Sequence, residues 1–222
     1  LTDNLVPVII SNNGSVRKAS LEEDWYDYET KRWANAVVLK ETDTYEVGDT
    51  IEEEKIQSYF VWIPKYSYQL WDLGNYSNLT TIESKEHTIP IKFGLTNTND
   101  SVNGECTTPG VAGESGNCKV GDYMTHPAFL AFDTNGIWVG KYETTGDSTN
   151  PTVLAYDSRL KDEQGKIIDT KSLISQNVST QFLTSGKINY GLSGKEASML
   201  KNMEWGAVAY LTNSIYGRCD GS

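Results

Sequence analysis

One segment restricts the fold more than any other. Residues 193–217, SGKEASMLKNMEWGAVAYLTNSIYG, are the long stretch that reads plainly as helix. Leu200, Met203, Ala207, Leu211 and Ile215 recur at steps of three and four, which puts them on a single apolar stripe. Ser193 and Glu196 stand in S-x-x-E spacing, in which each side chain caps the other's backbone N–H. Asn202 offers a second cap ahead of Trp205 and its apolar neighbours. Gly217 is expected to close the helix, because glycine enters the left-handed conformation without steric cost. Such a stripe needs a sheet to cover it, and no residue on it has an obvious chemical task.

The remaining segments supply that sheet. LVPVII (5–10) reads as a strand, and SNNGS after it carries an Asn-Gly turn. In WYDYETKRWANAVVL, aromatic residues flank the polar ETKR on both arms, which predicts a hairpin with aromatic pairs across it. EEEK at 52–55 reads as a solvated turn. SYFVWIPKYSYQLW (58–71) is the clearest strand, with Pro64 favouring an edge or a bend. TIPIKFGL predicts a short strand within a turn-rich region. AFLAF and IWVGKYE, joined by Asp133-Thr134-Asn135-Gly136, predict a second hairpin. Residues 146–192 are polar, with modest strands and a short helix at LISQNVSTQFL. The predicted class is therefore β-rich α+β, with a small β unit at 1–57 ahead of a larger domain at 58–222.

Composition narrows the function. A net charge of −11 repels phosphate backbones, which argues against a nucleic-acid partner. No apolar run approaches the roughly 18 residues of a membrane helix, so no membrane insertion by this segment is expected. Thirteen tyrosines and six tryptophans suit both cores and binding faces. Cys106 and Cys118 bracket the Gly-rich TTPGVAGESGN, and a disulfide there would contribute roughly 3 kcal/mol by closing the loop. That pairing predicts an oxidising, extracellular compartment. Two free thiols are the competing reading, and Cys219 is left over.

Reactive constellations are missing from the sequence. Its two histidines, His87 and His126, have no spacing that suggests catalysis, and His126-Pro127 reads as a packed or turn residue. No nucleophile elbow, phosphate loop, dinucleotide fingerprint or zinc motif occurs. Glu143 is the carboxylate that stands out, and a buried hydrogen-bonding role is expected for it. NTNDSVNGE (97–105), with Asn99 and Asp100, is a candidate calcium loop. It lacks the ordered ligand spacing of an EF-hand, so no cofactor is otherwise expected. Sequons at Asn13, Asn75, Asn78, Asn99 and Asn177 follow from the richness in Asn, Ser and Thr.

Two segments carry a family signal. Ile137-Trp138-Val139-Gly140-Lys141-Tyr142-Glu143-Thr144-Thr145 resembles an early strand of the formylglycine-generating, sulfatase-modifying superfamily. Glu204-Trp205-Gly206-Ala207-Val208-Ala209-Tyr210-Leu211 is similar to that family's first helix. The resemblance implies a C-type-lectin-like domain in which Trp138, Gly140, Tyr142, Glu143, Trp205 and Tyr210 are structural. The superfamily holds sulfatase-activating enzymes as well as non-catalytic binders, such as the variable receptor-binding proteins of phage and bacterial diversity-generating retroelements. Its C-terminal half, with the enzymes' copper-binding cysteines, has no counterpart here, so no catalytic position carries over. The wider combination of motifs also resembles surface or prophage-encoded proteins of gut Firmicutes, some of them pilin-like.

These readings converge on an extracellular, non-enzymatic recognition or adhesion protein, part of a cell-surface appendage or phage receptor-binding apparatus. Its partner is expected to be a host-surface glycan or protein. Contacts are assigned to Trp71, Tyr76, Asn99 and Asp100 on exposed loops. The alternatives are a self-associating subunit of a filament or virion, and an enzyme of the formylglycine-generating type.

Overall fold

Strand β3 (Asn35–Leu39) is buried almost throughout, and its alternation explains why. Ala36 and Val38 join Leu5 and Phe60 in one apolar cluster, while Val37 joins Val8, Val16, Ile51, Ile56, Tyr59 and Leu154 in another. Successive side chains point to opposite faces of a sheet, so β3 feeds a core on each side. A computed structural model of the chain describes residues 4–23, 25–69, 89–94, 123–131, 133–155, 161, 163–166, 170–192 and 197–217. The fold is β-rich α+β, and its chain divides into two compact units.

The first unit comprises Leu1–Trp62 and Trp138–Met199. Its main sheet has the order β2-β1-β3-β4-β8, built from β1 (Leu5–Ile10), β2 (Val16–Lys18), β3, β4 (Ile56–Pro64) and β8 (Gly136–Gly140). The strands on either side of the 58 boundary thus share one sheet. β1 and β2 meet at the Asn-Gly turn, where Gly14 takes φ 85° and Asn13 Oδ1 accepts from the Ser15 N–H at 3.0 Å. Pro7 is tolerated inside the sheet because its nitrogen faces the β2 side just past the end of β2. Two short strands, β9 (Thr145–Gly146) and β10 (Pro151–Thr152), pair beside it, and helix α2 (Val178–Leu183) follows.

The second unit comprises Ile63–Ile137 and Leu200–Ser222. After Pro64 the chain leaves the first sheet and begins β5 (Tyr66–Gln69), the centre of a three-stranded sheet between β6 (Ile91–Phe93) and β7 (Tyr123–Thr125). The expected bend at the proline is therefore a change of sheet. Among the described residues the unit also holds two helices, α1 (Pro127–Ala131) and α3 (Asn202–Thr212).

Several expectations need correction. AFLAF is not a strand of a hairpin but helix α1, because Pro127 suits the first turn of a helix, where its missing N–H goes unused. The aromatic hairpin at 25–39 shrinks to one antiparallel bridge, Asp27 to Arg32, and only its second arm becomes a strand. EEEK is a turn as expected, a single 3-10 turn Glu53–Lys55 with no buried residue, whose Lys55 reaches Glu41 at 3.5 Å and Asp43 at 3.6 Å. The terminal helix is shorter than its sequence stripe. It begins at Asn202, where Glu204 Oε2 accepts from the Lys201 N–H at 2.7 Å, and Ser193 and Glu196 lie outside the described residues. Ala207 and Leu211 are buried, while Leu200, Met203 and Ile215 stay exposed. Gly217 does not take the left-handed conformation; it is required because a Cβ there would strike the carbonyl oxygens of Leu211 and Thr212.

Candidate functional site

In the first unit the aromatic residues assemble into a line. Trp33 lies 4.9 Å from Tyr28, Tyr28 4.9 Å from Tyr26, Tyr26 6.1 Å from Trp25, Trp25 6.2 Å from Trp138, and Trp138 5.3 Å from Trp62. These ring-to-ring spacings fall in the range in which aromatic pairs attract beyond their burial. The segment around the Asp27–Arg32 bridge supplies four rings, β4 supplies Trp62 and β8 supplies Trp138. Tyr26 is 51% exposed and the other five are half-buried.

The line is held from beneath. Trp138 packs on the cluster of Leu5, Ala36, Val38 and Phe60. Trp25 donates its indole N–H to the Asn35 carbonyl at 2.8 Å. Asn35, itself buried, donates from Nδ2 to the Trp33 carbonyl at 2.7 Å and accepts from Lys141 Nζ at 2.8 Å. Burial holds the Lys141 ammonium below its usual range and pushes the Tyr28 phenol above its own. The array is an apolar, polar-tipped face.

The resemblance motif contributes to this unit as follows. Gly140 lies beside Val153, whose methyl group would meet a Cβ there at 3.5 Å, an ordinary van der Waals contact. Tyr142 stands edge-on to Tyr59 at 5.7 Å. Glu143 is exposed rather than buried, and accepts from the Ser172 hydroxyl. The second motif lies in the other unit: Trp205 is 64% exposed, and Tyr210 packs on Tyr68 and His126 at 5.0 and 5.3 Å. The strand and the helix that carry the resemblance therefore belong to different units.

His126 is the packed residue its sequence context suggests. It sits among Tyr66, Tyr68, Phe129 and Tyr210, and its Nδ1 accepts from the Ala128 N–H at 3.2 Å. Burial lowers its pKa to about 4. Tyr66 donates its hydroxyl to the Ala207 carbonyl at 2.6 Å, which ties β5 to α3.

Trp71, Tyr76, Asn99, Asp100, Cys106, Cys118 and Cys219 lie outside the described residues. Among the described residues no group of three or more His, Cys, Asp or Glu side chains is placed to hold a metal, and no helix is long and apolar enough to cross a membrane. Compared with known protein families, curated proteins and solved structures, the chain matches none.

Proposed function

We propose that this chain is a non-enzymatic recognition protein that engages a glycan or protein surface through the aromatic line of its first unit. The observation that carries the reading is the run Trp33–Tyr28–Tyr26–Trp25–Trp138–Trp62, one side seated on the sheet and the other partly open to solvent. Tyr and Trp supply large contact area at small entropic cost and concentrate binding energy where they cluster. Their apolar faces suit the C–H faces of a sugar ring, and their polar tips suit its hydroxyls. Adhesion in an extracellular setting, within an appendage or a phage receptor-binding apparatus, fits this surface and the acidic composition. The C-type-lectin-like kinship belongs to the same proposal and is supported by the two sequence motifs alone.

Glycan-array screening followed by tryptophan fluorescence titration tests the reading. A hit that quenches or shifts emission, and that Tyr26→Ala weakens about tenfold, supports it. Binding that is indifferent to Tyr26→Ala and Trp62→Ala removes it.

A second reading, a self-associating structural subunit, has its own observation. Ile174, Val178, Phe182 and Leu183 are all more than half exposed on and beside α2. Native mass spectrometry at micromolar concentration separates the two, since a strictly monomeric species disfavours the filament.

A further inference from the structure

The first unit also contains a cavity of about 310 Å³, lined by residues that the aromatic line does not use. Glu143 and Thr144 form one side, the 172–176 segment another, and Gln181, Thr184 and Ser185 line it from α2 and the π-helical turn that continues it. Tyr190 and Met199 complete the lining. The volume lies at the small end of the range for ligand sites, roughly 300–1,000 Å³.

Backbone strain gathers here. Of the described non-glycine residues with positive φ, Ser175 (59°), Asn189 (67°) and Tyr190 (52°) all lie in or beside this cavity. Left-handed conformations outside glycine cost free energy and persist where surrounding structure enforces them, a pattern concentrated at binding sites. The π-helical turn Thr184–Ile188 is a second such irregularity.

The hydrogen bonds define what fits. Ser172 gives its hydroxyl proton to Glu143. Thr184 gives its proton to the Ser148 carbonyl at 3.3 Å, and Ser185 to the Gln181 carbonyl at 2.9 Å. A hydroxyl has one proton, so all three present only lone pairs to the cavity. Gln176 and Gln181 each commit an amide N–H to a backbone carbonyl, and the Thr144–Tyr190 pair shares a bond at 3.1 Å. Among the described residues the lining contains one carboxylate, Glu143, and no basic side chain. It is therefore acceptor-rich and negatively charged, with Leu173, Ile174 and Met199 as its apolar part.

We infer that this cavity binds an alkylammonium group, whose three N–H donors and absent acceptor complement such a lining while its aliphatic stem rests on the apolar side. A sugar hydroxyl is a poorer match, because it brings one proton against the ammonium's three and no charge to pair with Glu143. The same chemistry is offered by a free amine and by a lysine side chain of a polypeptide. The inference stands apart from the aromatic line, since the two share no residue.

The test is a ¹⁵N-HSQC titration of the whole chain with n-butylammonium and, separately, with a lysine blocked at both ends. n-Butanol and methyl glucoside serve as neutral controls. Saturable shifts at Thr144, Leu173 and Ser185 with either amine are expected, weakened about tenfold or more in Glu143→Gln. Binding by both amines supports a site open to free amines, and binding by blocked lysine alone supports a polypeptide source. Gln keeps the acceptor for Ser172, and an unchanged amide spectrum of the variant shows that the fold survives. Shifts of equal size with the neutral controls, no saturation with either amine, or full affinity in Glu143→Gln would each overturn the proposal. Tyr26→Ala leaves the titration unchanged, so failure of the aromatic site and failure of this one are read separately.

Discussion

Lys141 Nζ and Asn35 Oδ1 meet at 2.8 Å beneath the aromatic line. Asn35 is 6% exposed, and its three polar groups serve Trp25, Trp33 and Lys141 at once. Replacing it with alanine leaves the Lys141 ammonium buried without this acceptor and frees the Trp33 carbonyl. Asn35→Ala is expected to cost about 1–3 kcal/mol in chemical denaturation. A loss below about 0.5 kcal/mol would mean that the pair contributes little.

The tyrosine face separates binding from folding. Tyr26, 51% exposed, should tolerate alanine with a stability change within about 0.5 kcal/mol while ligand affinity falls. Trp138 packs on the core, so Trp138→Ala should cost about 2–4 kcal/mol and lower the melting temperature as well. Equal destabilisation by both would contradict the geometry.

Acid stability depends on His126. Its folded pKa of about 4 lies below the ordinary 6.5, so the unfolded chain binds the proton more readily. The neutral ring, accepting from Ala128 and enclosed by Tyr66, Tyr68, Phe129 and Tyr210, is favoured by folding. Its contribution is present above pH 6.5 and is lost as pH falls towards 4, amounting to about 3 kcal/mol over that window. Melting curves between pH 4 and 7 should show this slope, and His126→Met should flatten it.

Alkaline stability runs the other way. Burial raises the phenols of Tyr28, Tyr59, Tyr66 and Tyr68 above the ordinary 10.0. A phenol that ionises less readily when folded loses its contribution as pH climbs through 10. Tyrosinate absorbance should therefore rise steeply together with unfolding, rather than in independent steps before it. Lys141, lowered by burial, opposes this below 10.5.

Gly146 tests the β9–β10 turn. It holds φ +77°, and a Cβ there would collide with the Asn150 carbonyl oxygen. Gly146→Ala should destabilise the chain by about 1–3 kcal/mol in a thermal melt. No loss would show that the turn relaxes freely.

Much of this fold is legible in the amino-acid sequence. Alternation in SYFVWIPKYSYQLW (58–71) announces β4 and β5 as one run, NAVVL announces β3, and the Asn-Gly pair at 13–14 announces the first turn. AFLAF reads as a strand because a short apolar run suits strand and helix alike, and only Pro127 ahead of it favours helix. Aromatic pairing around ETKR was visible, but not its continuation to Trp62 and Trp138. That continuation depends on β3, β4 and β8 becoming neighbours, which local sequence does not encode. The cavity near Tyr190 had a weaker signal still. Its backbone irregularities fall in a polar stretch without periodicity, and Asn177 capping α2 at 2.9 Å through the Thr180 N–H was the one local clue.

The neighbour of β4 in the first unit, β8, comes from the far side of a long excursion through the second unit. During translation, β1 to β4 emerge first and must wait for Gly136–Gly140 with one hydrogen-bonding edge uncovered. An uncovered edge is a template for mispairing with another chain. Nascent fragments ending shortly after Pro64 are thus the form of this protein most exposed to aggregation. The arrival of β8, followed by Val153 pairing beside Ser58, seals them.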